Sequence, residues 1–408
     1  MKKKVLTFIM AGGKGERLWP LTKDRTKPAV PFGGIYRIID FTLSNCINSG
    51  LRRIYVLTQY KSASLQQHIR LGWNFLPSEL EQFIELLPAQ QRIGDTWYLG
   101  TADAIYQNLY TMEMEQPDEI LVLAGDHVYK MNYYSMIDFH REVDADLTVG
   151  VVEVEKEKAS HLGVVEVDSM GRVSGFEEKP AKPKIIPQHP DKVYASMGIY
   201  IFKTSVLIDE LHEDAQKTNS AHDFGKEIIP GMIKKGYKIA AYNFIDENKK
   251  EAKYWRDIGT LDAYYEANMD LVQVDPVFNL YDKEWLVRTY QEQFPSAKTV
   301  FSGDEITGRV GLVLDSIVSG GCIISGGRVQ RSILSPNVRV NSYCQIYDSI
   351  LMEGVNVGRY AKIKRAIIDK DVNIPQGMVI GYDLEEDKKR FCITESGLVV
   401  VAKKTEIK

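Results

Sequence analysis

The residues best suited to chemistry cluster in one loop near the start of the chain. An apolar run over Val5–Met10 leads into three glycines and two cations, Gly12, Gly13, Lys14, Gly15 and Arg17. A third cation, Lys27, follows ten residues after Arg17 and stands beside Pro28. Glycines let a backbone approach a ligand closely, and free amides together with fixed cations bind anions. This loop therefore predicts a phosphate site, and three cations suit a triphosphate better than a monophosphate.

The loop matches neither of the two common glycine signatures. A P-loop requires a lysine and a hydroxyl residue after its last glycine, whereas Gly15 is followed by Glu16. The dinucleotide-binding fingerprint requires a third glycine where this chain has Leu18. An ordinary turn between a strand and a helix is the alternative interpretation, and Arg17 and Lys27 favour the phosphate site over it.

Alternating strands and helices are predicted from Val5 to about Val274. Buried strands are expected at 53–57, 120–124 and 147–152, and amphipathic helices at 64–73 and 102–115. This order predicts an α/β domain with a mostly parallel, doubly wound, Rossmann-like sheet, whose functional site lies at the carboxyl ends of the strands. The glycine loop follows one such strand, and Gly125-Asp126-His127 follows another. A hairpin over 163–176 is expected to deliver Glu178 and Lys179.

The chain changes character beyond Pro295, where a 17-residue repeat begins. The triplets at 332–334, 349–351 and 366–368 recur at that spacing. Apolar residues about every five or six positions, with glycine and asparagine at the corners, predict a triangular parallel β-helix. An antiparallel sandwich is the alternative, but hairpins do not produce identical triplets in phase. A domain boundary is expected between Asp275-Pro276 and Phe294-Pro295.

Composition and charge limit the class of protein. The 408 residues are 44% apolar and 26% charged, with a net charge of -4, which argues against nucleic acid as the main partner. No apolar run approaches the ~18 residues of a membrane span, and the apolar run after the basic start is too short for a signal peptide. The four cysteines are scattered, which indicates neither a zinc site nor a disulfide framework. A cytoplasmic protein without membrane association is therefore expected.

Several motifs together carry a resemblance to a known family. They occur in one order along the whole chain, at 11–31, 41–50, 86–92, 97–104, 124–130, 177–180, 195–200, 223–226 and 254–260. The chain resembles the sugar-nucleotide pyrophosphorylases and, more narrowly, the bacterial ADP-glucose pyrophosphorylases (glucose-1-phosphate adenylyltransferases). The resemblance implies a nucleotidyltransferase catalytic domain at 1–280, a linker at 281–296, and a left-handed β-helix at 297–408 that serves assembly and regulation.

The resemblance implies transfer of adenylate from ATP to α-D-glucose 1-phosphate, giving ADP-glucose and pyrophosphate in the committed step of glycogen biosynthesis. Such a transfer needs aligned anions and neutralised charge on the leaving group. Lys14, Arg17 and Asp126 are therefore the expected catalytic residues. The expected cofactor is Mg²⁺, held by Asp126 and Asp257. A turn or helix-cap role is the alternative for both aspartates.

The two substrates are assigned to separate sets of residues. The expected nucleotide-binding residues are Gly12, Gly13, Gly15, Lys27, Gln90 and Gln91, the two glutamines because their amides suit adenine. By resemblance, the glucose 1-phosphate site comprises Tyr98, Gly163, Glu178, Lys179 and Ser196, with Lys179 on the phosphate. Two further polar residues are interpreted as structural. His127 is not expected to act as a base, because the attacking phosphate is already ionised, and Asp223 is expected to be a helix N-cap.

Assembly and regulation are implied by the resemblance alone. It predicts a homotetramer that responds to small anionic effectors. The candidate regulatory residues are Arg25, Arg37, Gln59, Trp97 and Arg365. Asp24 stands where well-regulated members of the family have an activator lysine, so the identity of the activator stays open.

Two other functions remain compatible with the sequence. The same chemistry with another nucleotide would make a uridine- or thymidine-diphosphate sugar. A catalytically weak regulatory subunit would bind effectors without turnover. Such chains typically lose a phosphate cation of the glycine loop or the lysine after the second glutamate, whereas Lys14, Arg17, Asp126 and Lys179 are all present here. An acyltransferase activity in the β-helix is rejected because residues 317–381 contain no histidine.

Overall fold

The computed structural model describes residues 3–90, 97–246, 251–302 and 309–407. Within these residues, a nine-stranded mixed sheet forms the N-terminal part of the molecule. Its strands are, in chain order, β1 (Val5–Met10), β2 (Arg53–Thr58), β3 (Phe83–Pro88), β4 (Glu119–Ala124), β5 (Leu147–Glu155), β6 (Gly163–Val167), β7 (Val173–Glu178), β8 (Lys192–Lys203) and β9 (Ile239–Asn243).

The sheet is parallel on the side of β1, β2 and β3 and mixed on the other side, where β9 is parallel to β5. Its main path runs β7-β6-β8-β4-β1-β2-β3, with β5 beside β8 and β9 beyond β5. Strand β1 is parallel to β2 and β4, and β2 is parallel to β3. The long strand β8 runs antiparallel to β4, β5 and β6. The expected α/β fold is confirmed, and the predicted hairpin is the pair of β6 and β7.

Helices cover both faces of this sheet. The helices that pack on the sheet are α1 (Ile38–Asn48), α2 (Ala63–Gly72), α3 (Thr101–Tyr106), α4 (Leu109–Glu115), α5 (Tyr133–Glu142), α6 (Thr204–Ala215) and α7 (Ile229–Lys234). Helix α8 (Leu261–Met269) packs against the β-helix, and α9 (Leu384–Lys388) lies within the β-helix part. Side chains alternate along β1, so that Phe8 enters one apolar core and Ile9 the other. Among the described residues, every helix is too short or too polar to cross a membrane.

The sequence predicts one helix over 102–115, whereas the structure has two, α3 and α4. The prediction of a continuous helix was therefore wrong. The backbone N–H of Asn108 donates to Ile105 O at 2.9 Å, three residues back. The carbonyl oxygen of Ala104, four residues back, instead accepts from the Asn108 side-chain amide at 2.8 Å. Because asparagine can bond nearby backbone groups in this way, it interrupts a helix that the apolar spacing alone would continue.

Shorter elements connect these parts. Three pairs of short strands lie outside the sheet: Pro31–Phe32 with Tyr36–Arg37, His127–Tyr129 with Trp255–Asp257, and Ile245–Asp246 with Glu251–Ala252. Short 3-10 helices occur at Glu16–Leu18, Lys27–Ala29, Ser78–Leu80, Lys156–His161 and Asp270–Val272, and a π-helix occurs at Phe224–Ile228.

The C-terminal part is a parallel β-helix built from three sheets. The first contains Arg309–Val310, Lys298–Ser302, Ile323–Ser325, Arg339–Val340, Asn356–Val357 and Asn373–Ile374. The second contains Leu312–Leu314, Arg328–Gln330, Gln345–Tyr347, Lys362–Lys364 and Val379–Ile380. The third contains Ile317–Val318, Ile333–Leu334, Ile350–Leu351, Ala366–Ile368, Val399–Val401 and Cys392–Ile393.

The 17-residue spacing seen in the sequence corresponds to the strand register within these sheets. Ile333 pairs with Ile350, and Ile350 pairs with Ile367, each 17 residues further along. The preceding coil is one residue shorter, since Ile317 pairs with Ile333. All three of Ile333, Ile350 and Ile367 are buried, which is why the apolar spacing survives in every coil.

The N-terminal part contacts the β-helix directly, and the segment that connects the two lies partly along α1. An apolar cluster combines Tyr264 and Leu261 of α8 with Ile333, Ile350 and Ile367 of the β-helix. Residues 273–297 have no helix or strand, and within them residues 285–289 lie along α1, held there by side-chain hydrogen bonds. These include Trp285 Nε1 to Asn45 Oδ1 at 2.8 Å, Arg288 N to Ser44 Oγ at 2.8 Å and Thr289 Oγ1 to Asp40 Oδ2 at 2.6 Å.

Candidate active site

The glycine loop after β1 exposes its backbone at the carboxyl edge of the sheet. Gly15 has a φ of 64°, a left-handed conformation that favours glycine, and precedes the single turn Glu16–Leu18. A Cβ added at Gly15 would lie 3.1 Å from Cβ of Lys27, whereas one added at Gly13 would meet open space. The loop is therefore packed against Lys27 on one side and open to a ligand on the other.

Three adjoining cavities of about 550, 500 and 200 Å³ form a cleft at this edge. Asp126 lines all three cavities. The predicted residues around the largest are Gly12, Gly13, Lys14, Gln59, Tyr98 and Glu178. Those around the second are Gly13, Lys14, Gly15, Arg17 and Lys27. Those around the smallest are Arg17, Lys27, Gly163, Glu178, Lys179, Ser196 and Asp257. Segments that are distant in sequence thus meet around one cleft.

Asp126, His127 and Asp257 form a compact cluster in this cleft. Asp126 lies just beyond the end of β4, and Asp257 ends a short strand in which it pairs with His127. One potential metal-binding atom from each residue lies within 4.8 Å of the others. Gly125 is required for this approach, because a Cβ there would lie 2.9 Å from Cγ2 of Ile9.

The ammonium group of Lys27 bridges the two carboxylates. Its Nζ lies 2.7 Å from Asp126 Oδ2 and 3.1 Å from Asp257 Oδ1. Burial opposes the charge on Lys27, but the two carboxylates more than compensate and raise the pKa of Lys27. Burial likewise opposes the charged form of Asp126, yet Lys27 lowers the pKa of Asp126 to about 2. Lys27 and Asp126 are therefore both charged at neutral pH.

The donor set of the cluster fits a hard divalent cation. Asp126 and Asp257 offer carboxylate oxygens, which Mg²⁺ prefers, and Mg²⁺ usually completes its octahedron with phosphate and water oxygens. Nε2 of His127 lies 3.5 Å from Asp126 Oδ1 and 3.7 Å from Asp257 Oδ1. Its other nitrogen, Nδ1, is buried and has no hydrogen-bond partner among the described residues. His127, interpreted from sequence as structural, is thus part of the cluster.

Most residues predicted for the sugar phosphate lie at the open end of the β6–β7 hairpin, and Ser196 lies on the neighbouring strand β8. Lys179 has a φ of 52°, an uncommon conformation for a non-glycine residue that recurs at functional sites. Its Nζ lies 2.8 Å from Glu178 Oε1, and about half of its side chain is exposed. A Cβ at Gly163 would lie 2.9 Å from Glu178 Oε2, so glycine leaves room for that carboxylate. Ser196 Oγ lies 3.2 Å from the hydroxyl of Tyr200.

Two further predictions concern the other wall of the cleft. The hydroxyl of Tyr98 accepts a hydrogen bond from Asn108 Nδ2 at 3.0 Å, which fixes the ring beside the cavity. Burial raises the pKa of Tyr98. Gln90 follows β3 by two residues. Gln91 lies outside the described residues.

The sequence did not identify several residues that line the cleft. They are Tyr60, Thr101, His161, Gly198, Tyr200, Asp223, Phe224 and Trp255. Asp223 is the predicted N-cap, since its carboxylate accepts from the N–H groups of Gly225 and Lys226, and it also faces the cavity. Trp255 packs edge-to-face on His127, with ring centroids 5.1 Å apart. Strand alternation could have indicated Trp255, because it stands two residues before Asp257.

The candidate regulatory arginines lie at or near the junction with the β-helix. Arg25 is buried and donates two hydrogen bonds to Asp369, at 2.6 and 2.7 Å. Arg37 donates to the carbonyl oxygen of Ser64 at 3.1 Å and lines a junction cavity of about 340 Å³. Arg365 stacks on Tyr265 and donates to Ser396 Oγ at 3.0 Å. An effector role for these three arginines stays a prediction.

The two remaining regulatory candidates lie beside the glycine loop. A Cβ at Gly12 would lie 3.2 Å from Cβ of Gln59, so Gln59 supports the loop from behind. Trp97 is exposed and stacks on Tyr60, with ring centroids 5.5 Å apart. Nζ of Lys14 lies 5.7 Å from the centre of the same Tyr60 ring. These contacts connect both residues to the glycine loop.

Comparison with known families agrees with this fold and cleft. Residues 6–274 match the family model described as nucleotidyl transferase, and residues 295–401 match the model described as GlmU-like, C-terminal hexapeptide. The fold and the site thus define an enzyme of the nucleotidyltransferase class that carries a hexapeptide-repeat β-helix.

Curated relatives identify the family within that class. A glucose-1-phosphate adenylyltransferase of Koribacter versatilis is 57% identical over 98% of this chain and 95% of its own length. Proteins of the same name from Rhodopirellula baltica and Methylococcus capsulatus are 54% and 52% identical over 99% and 98% of this chain, and over 91% and 94% of their own lengths. The chain belongs to the glucose-1-phosphate adenylyltransferase family.

Proposed function

We propose that this protein transfers adenylate from ATP to α-D-glucose 1-phosphate, yielding ADP-glucose and pyrophosphate for glycogen synthesis. The observation that carries the proposal is the single cleft in which the glycine loop, the carboxylate cluster and the Glu178-Lys179 hairpin end meet. The relatives' names specify the nucleotide and the sugar phosphate. A triphosphate site and a separate phosphate lysine are what a condensation of two phosphate-bearing substrates requires.

The chemistry is an in-line displacement at the α-phosphorus of ATP. A phosphate oxygen of glucose 1-phosphate forms the new bond to the α-phosphorus, and the bond to the β-phosphate oxygen breaks, so that pyrophosphate leaves with the electron pair. Lys14 and Arg17, which line the loop cavity, hold the triphosphate and stabilise the departing charge. The attacking phosphate is already ionised, so no side chain needs to remove a proton.

Magnesium is the proposed cofactor, and Asp126 and Asp257 are the residues that would hold it. When bound, Mg²⁺ supplies charge neutralisation and alignment of the phosphates. The carboxylates themselves are held in place by the strand pairing of Asp257 with His127 and by the close approach of Gly125 to β1. This rigidity positions the reacting groups before the substrates arrive.

The sugar phosphate occupies the smaller end of the proposed site. Lys179 is available for its phosphate, and Glu178 and Ser196 offer oxygen atoms to the sugar hydroxyls. Gly163 leaves space beside Glu178, and Tyr98 closes the neighbouring wall. Gln90 and Gln91 are proposed to recognise adenine through paired donor and acceptor groups.

Organisation and regulation complete the proposal. The catalytic domain is taken as 1–280, the linker as 281–296 and the β-helix as 297–408, in a cytoplasmic homotetramer controlled by small anionic effectors. Arg25, Arg37 and Arg365 are supported as effector contacts by their position at or near the junction. Gln59 and Trp97 are supported as signalling residues by their contacts beside the glycine loop.

Pyrophosphate release with glucose 1-phosphate and each of ATP, UTP and dTTP tests this function. We expect the specificity constant for ATP to exceed the others by at least tenfold, about 1.4 kcal/mol. A preference for UTP or dTTP would move the protein to another sugar nucleotide. Absence of release with all three nucleotides would favour a regulatory subunit without turnover.

A further inference from the structure

The ammonium group of Lys27 occupies the space that a metal ion would need. It lies 2.7 Å from an oxygen of Asp126 and 3.1 Å from an oxygen of Asp257. Mg²⁺ binds carboxylate oxygens at about 2.0–2.1 Å, so an ion shared by these two oxygens would sit in the same gap. A dication and an ammonium so close together would also repel each other strongly. In this arrangement Lys27 therefore excludes a metal ion shared by Asp126 Oδ2 and Asp257 Oδ1.

Lys27 has a second set of partners within reach. Its Cβ lies against Gly15, and its side chain lines both the loop cavity and the carboxylate cavity. A lysine side chain has a flexible four-carbon stem and three rotatable donors, so Nζ can move while the backbone stays fixed. A triphosphate in the loop would offer Nζ phosphate oxygens in place of the carboxylates.

The other two cations of the loop are arranged differently. Lys14 is exposed, and its Nζ lies 3.9 Å from Glu16 Oε1. Arg17 is also exposed and lines the loop and carboxylate cavities, but it forms no ion pair with either carboxylate among the described residues. Among the ion pairs of the described residues, the carboxylates of Asp126 and Asp257 are paired only with Lys27 and His127. Lys27 is thus positioned to couple the binding of a metal ion to the binding of the nucleotide.

We propose that Lys27 is a charge latch: it neutralises Asp126 and Asp257 and keeps metal out of the nucleotide-free protein, and the phosphates of the arriving nucleotide draw it away. The inference rests on the proposed nucleotidyl transfer and adds an order of binding to it, because the metal ion binds tightly only when nucleotide is also bound. By linkage, each of these ligands strengthens the binding of the other.

The latch predicts opposite effects of one substitution on two ligands. Lys27→Met keeps most of the apolar stem of the side chain and removes its charged end. It should tighten Mn²⁺ binding to the nucleotide-free protein by about 10- to 100-fold, within the range of coupling between linked sites. The same change should weaken binding of metal-free ATP, because a phosphate contact is lost. A variant with a folding defect would weaken both ligands instead.

The experiment titrates the purified full chain with Mn²⁺ and follows free Mn²⁺ by electron paramagnetic resonance, without nucleotide. ATP binding is measured separately by calorimetry in the presence of a chelator. Lys27→Gln is the second variant, because its amide can still donate to one carboxylate if Lys27→Met folds poorly. Lys14→Met is the matched control and should weaken ATP binding without changing Mn²⁺ binding. Asp257→Asn should weaken Mn²⁺ binding to the Lys27→Met protein.

The outcomes separate the latch from the underlying function. Tighter Mn²⁺ binding and weaker ATP binding in both Lys27 variants, with unchanged Mn²⁺ binding in the Lys14 variant, support the latch. Unchanged or weaker Mn²⁺ binding in both folded Lys27 variants overturns it, and a wild type that still makes ADP-glucose keeps the proposed function. If the wild type forms no ADP-glucose, the function on which the latch rests fails as well.

Discussion

The two parts of the molecule distribute their charged side chains in opposite ways. In the N-terminal part, charged groups converge at one edge of the sheet, and Lys27 is buried there between Asp126 and Asp257. In the β-helix, the outward positions of successive coils hold Arg328, Gln345 and Lys362 in register, while the inward positions hold Val329, Ile346 and Ile363.

The difference follows from how each fold brings residues together. A coil repeat places equivalent positions on top of one another, so it generates ladders of similar side chains. A doubly wound sheet brings the ends of strands from distant segments to one edge, where unlike groups can meet. Chemistry accordingly collects in the N-terminal part, and the β-helix offers extended surfaces.

One charged pair, Arg25 with Asp369, departs from this division and connects the N-terminal part to the β-helix. Asp369 belongs to the β-helix and is fully buried, which is unusual for a carboxylate among apolar coils. Its partner Arg25 lies in the segment between the glycine loop and Lys27. The pair therefore anchors the segment after the glycine loop to the β-helix.

The largest effect is expected from Asp126→Asn, which tests whether chemistry depends on the carboxylate cluster. Loss of a metal ligand should lower kcat by at least ~10³-fold, about 4 kcal/mol, without changing the fold. Steady-state kinetics at saturating Mg²⁺ and circular dichroism measure the two parts of this prediction. Asp138→Asn, an exposed carboxylate on α5, is the control and should leave kcat unchanged. Retention of more than a tenth of the wild-type rate in Asp126→Asn would remove the metal role.

Arg25→Met should have the next largest effect, on stability. Breaking the pair leaves Asp369 buried without its cation, which costs about 3 kcal/mol. The matched control is Arg331→Met, which breaks an exposed pair with Asp348 and should cost less than ~1 kcal/mol. Thermal unfolding of both variants gives the comparison. Equal shifts of the midpoint in the two variants would show that Arg25 does not anchor the junction.

A smaller and more selective effect is expected from Lys179→Ala. A lost charge-assisted contact is worth roughly 2 kcal/mol, so KM for glucose 1-phosphate should rise roughly 10- to 50-fold while KM for ATP changes little. Lys184→Ala, in the segment after the same hairpin and paired with Glu166, is the control. Parallel increases in both KM values would place Lys179 outside the sugar-phosphate site.

The smallest effect on basal rate is expected from Arg365→Ala, which tests the β-helix as a regulatory part. Because Arg365 contacts Tyr265 and Ser396 and lies outside the cleft, the rate without effector should stay within about twofold of wild type. The response to sugar phosphates or AMP should change. The rate of each variant is measured with and without each effector. Arg359→Ala, on the β-helix surface, is the control. An unaltered response would rule out Arg365 as an effector contact.

The sequence was sufficient for features that are local or periodic. The apolar run before Gly12 predicted β1, and the 17-residue spacing of Ile333, Ile350 and Ile367 predicted the register of the β-helix. The grouping of Asp126 with Asp257 followed from the resemblance, since residue spacing carries no information on segments so far apart. Asn108 broke a helix through a side-chain bond that apolar periodicity does not register.

Other features depended on three-dimensional packing. The position of Lys27 between Asp126 and Asp257 requires the pairing of His127 with Asp257, which no local pattern specifies. The burial of Arg25 against Asp369 likewise depends on how the two parts dock. The charge of a side chain was therefore predictable from sequence, but its partner was not.

The most direct test of the central claim is ³¹P nuclear magnetic resonance of the reaction with ATP, glucose 1-phosphate and Mg²⁺. The wild-type protein should generate the diphosphate signals of ADP-glucose and the signal of pyrophosphate in equal molar amounts, and Asp126→Asn should generate neither at a comparable rate. Pyrophosphate without ADP-glucose, or a sugar nucleotide formed only from UTP or dTTP, would contradict the account.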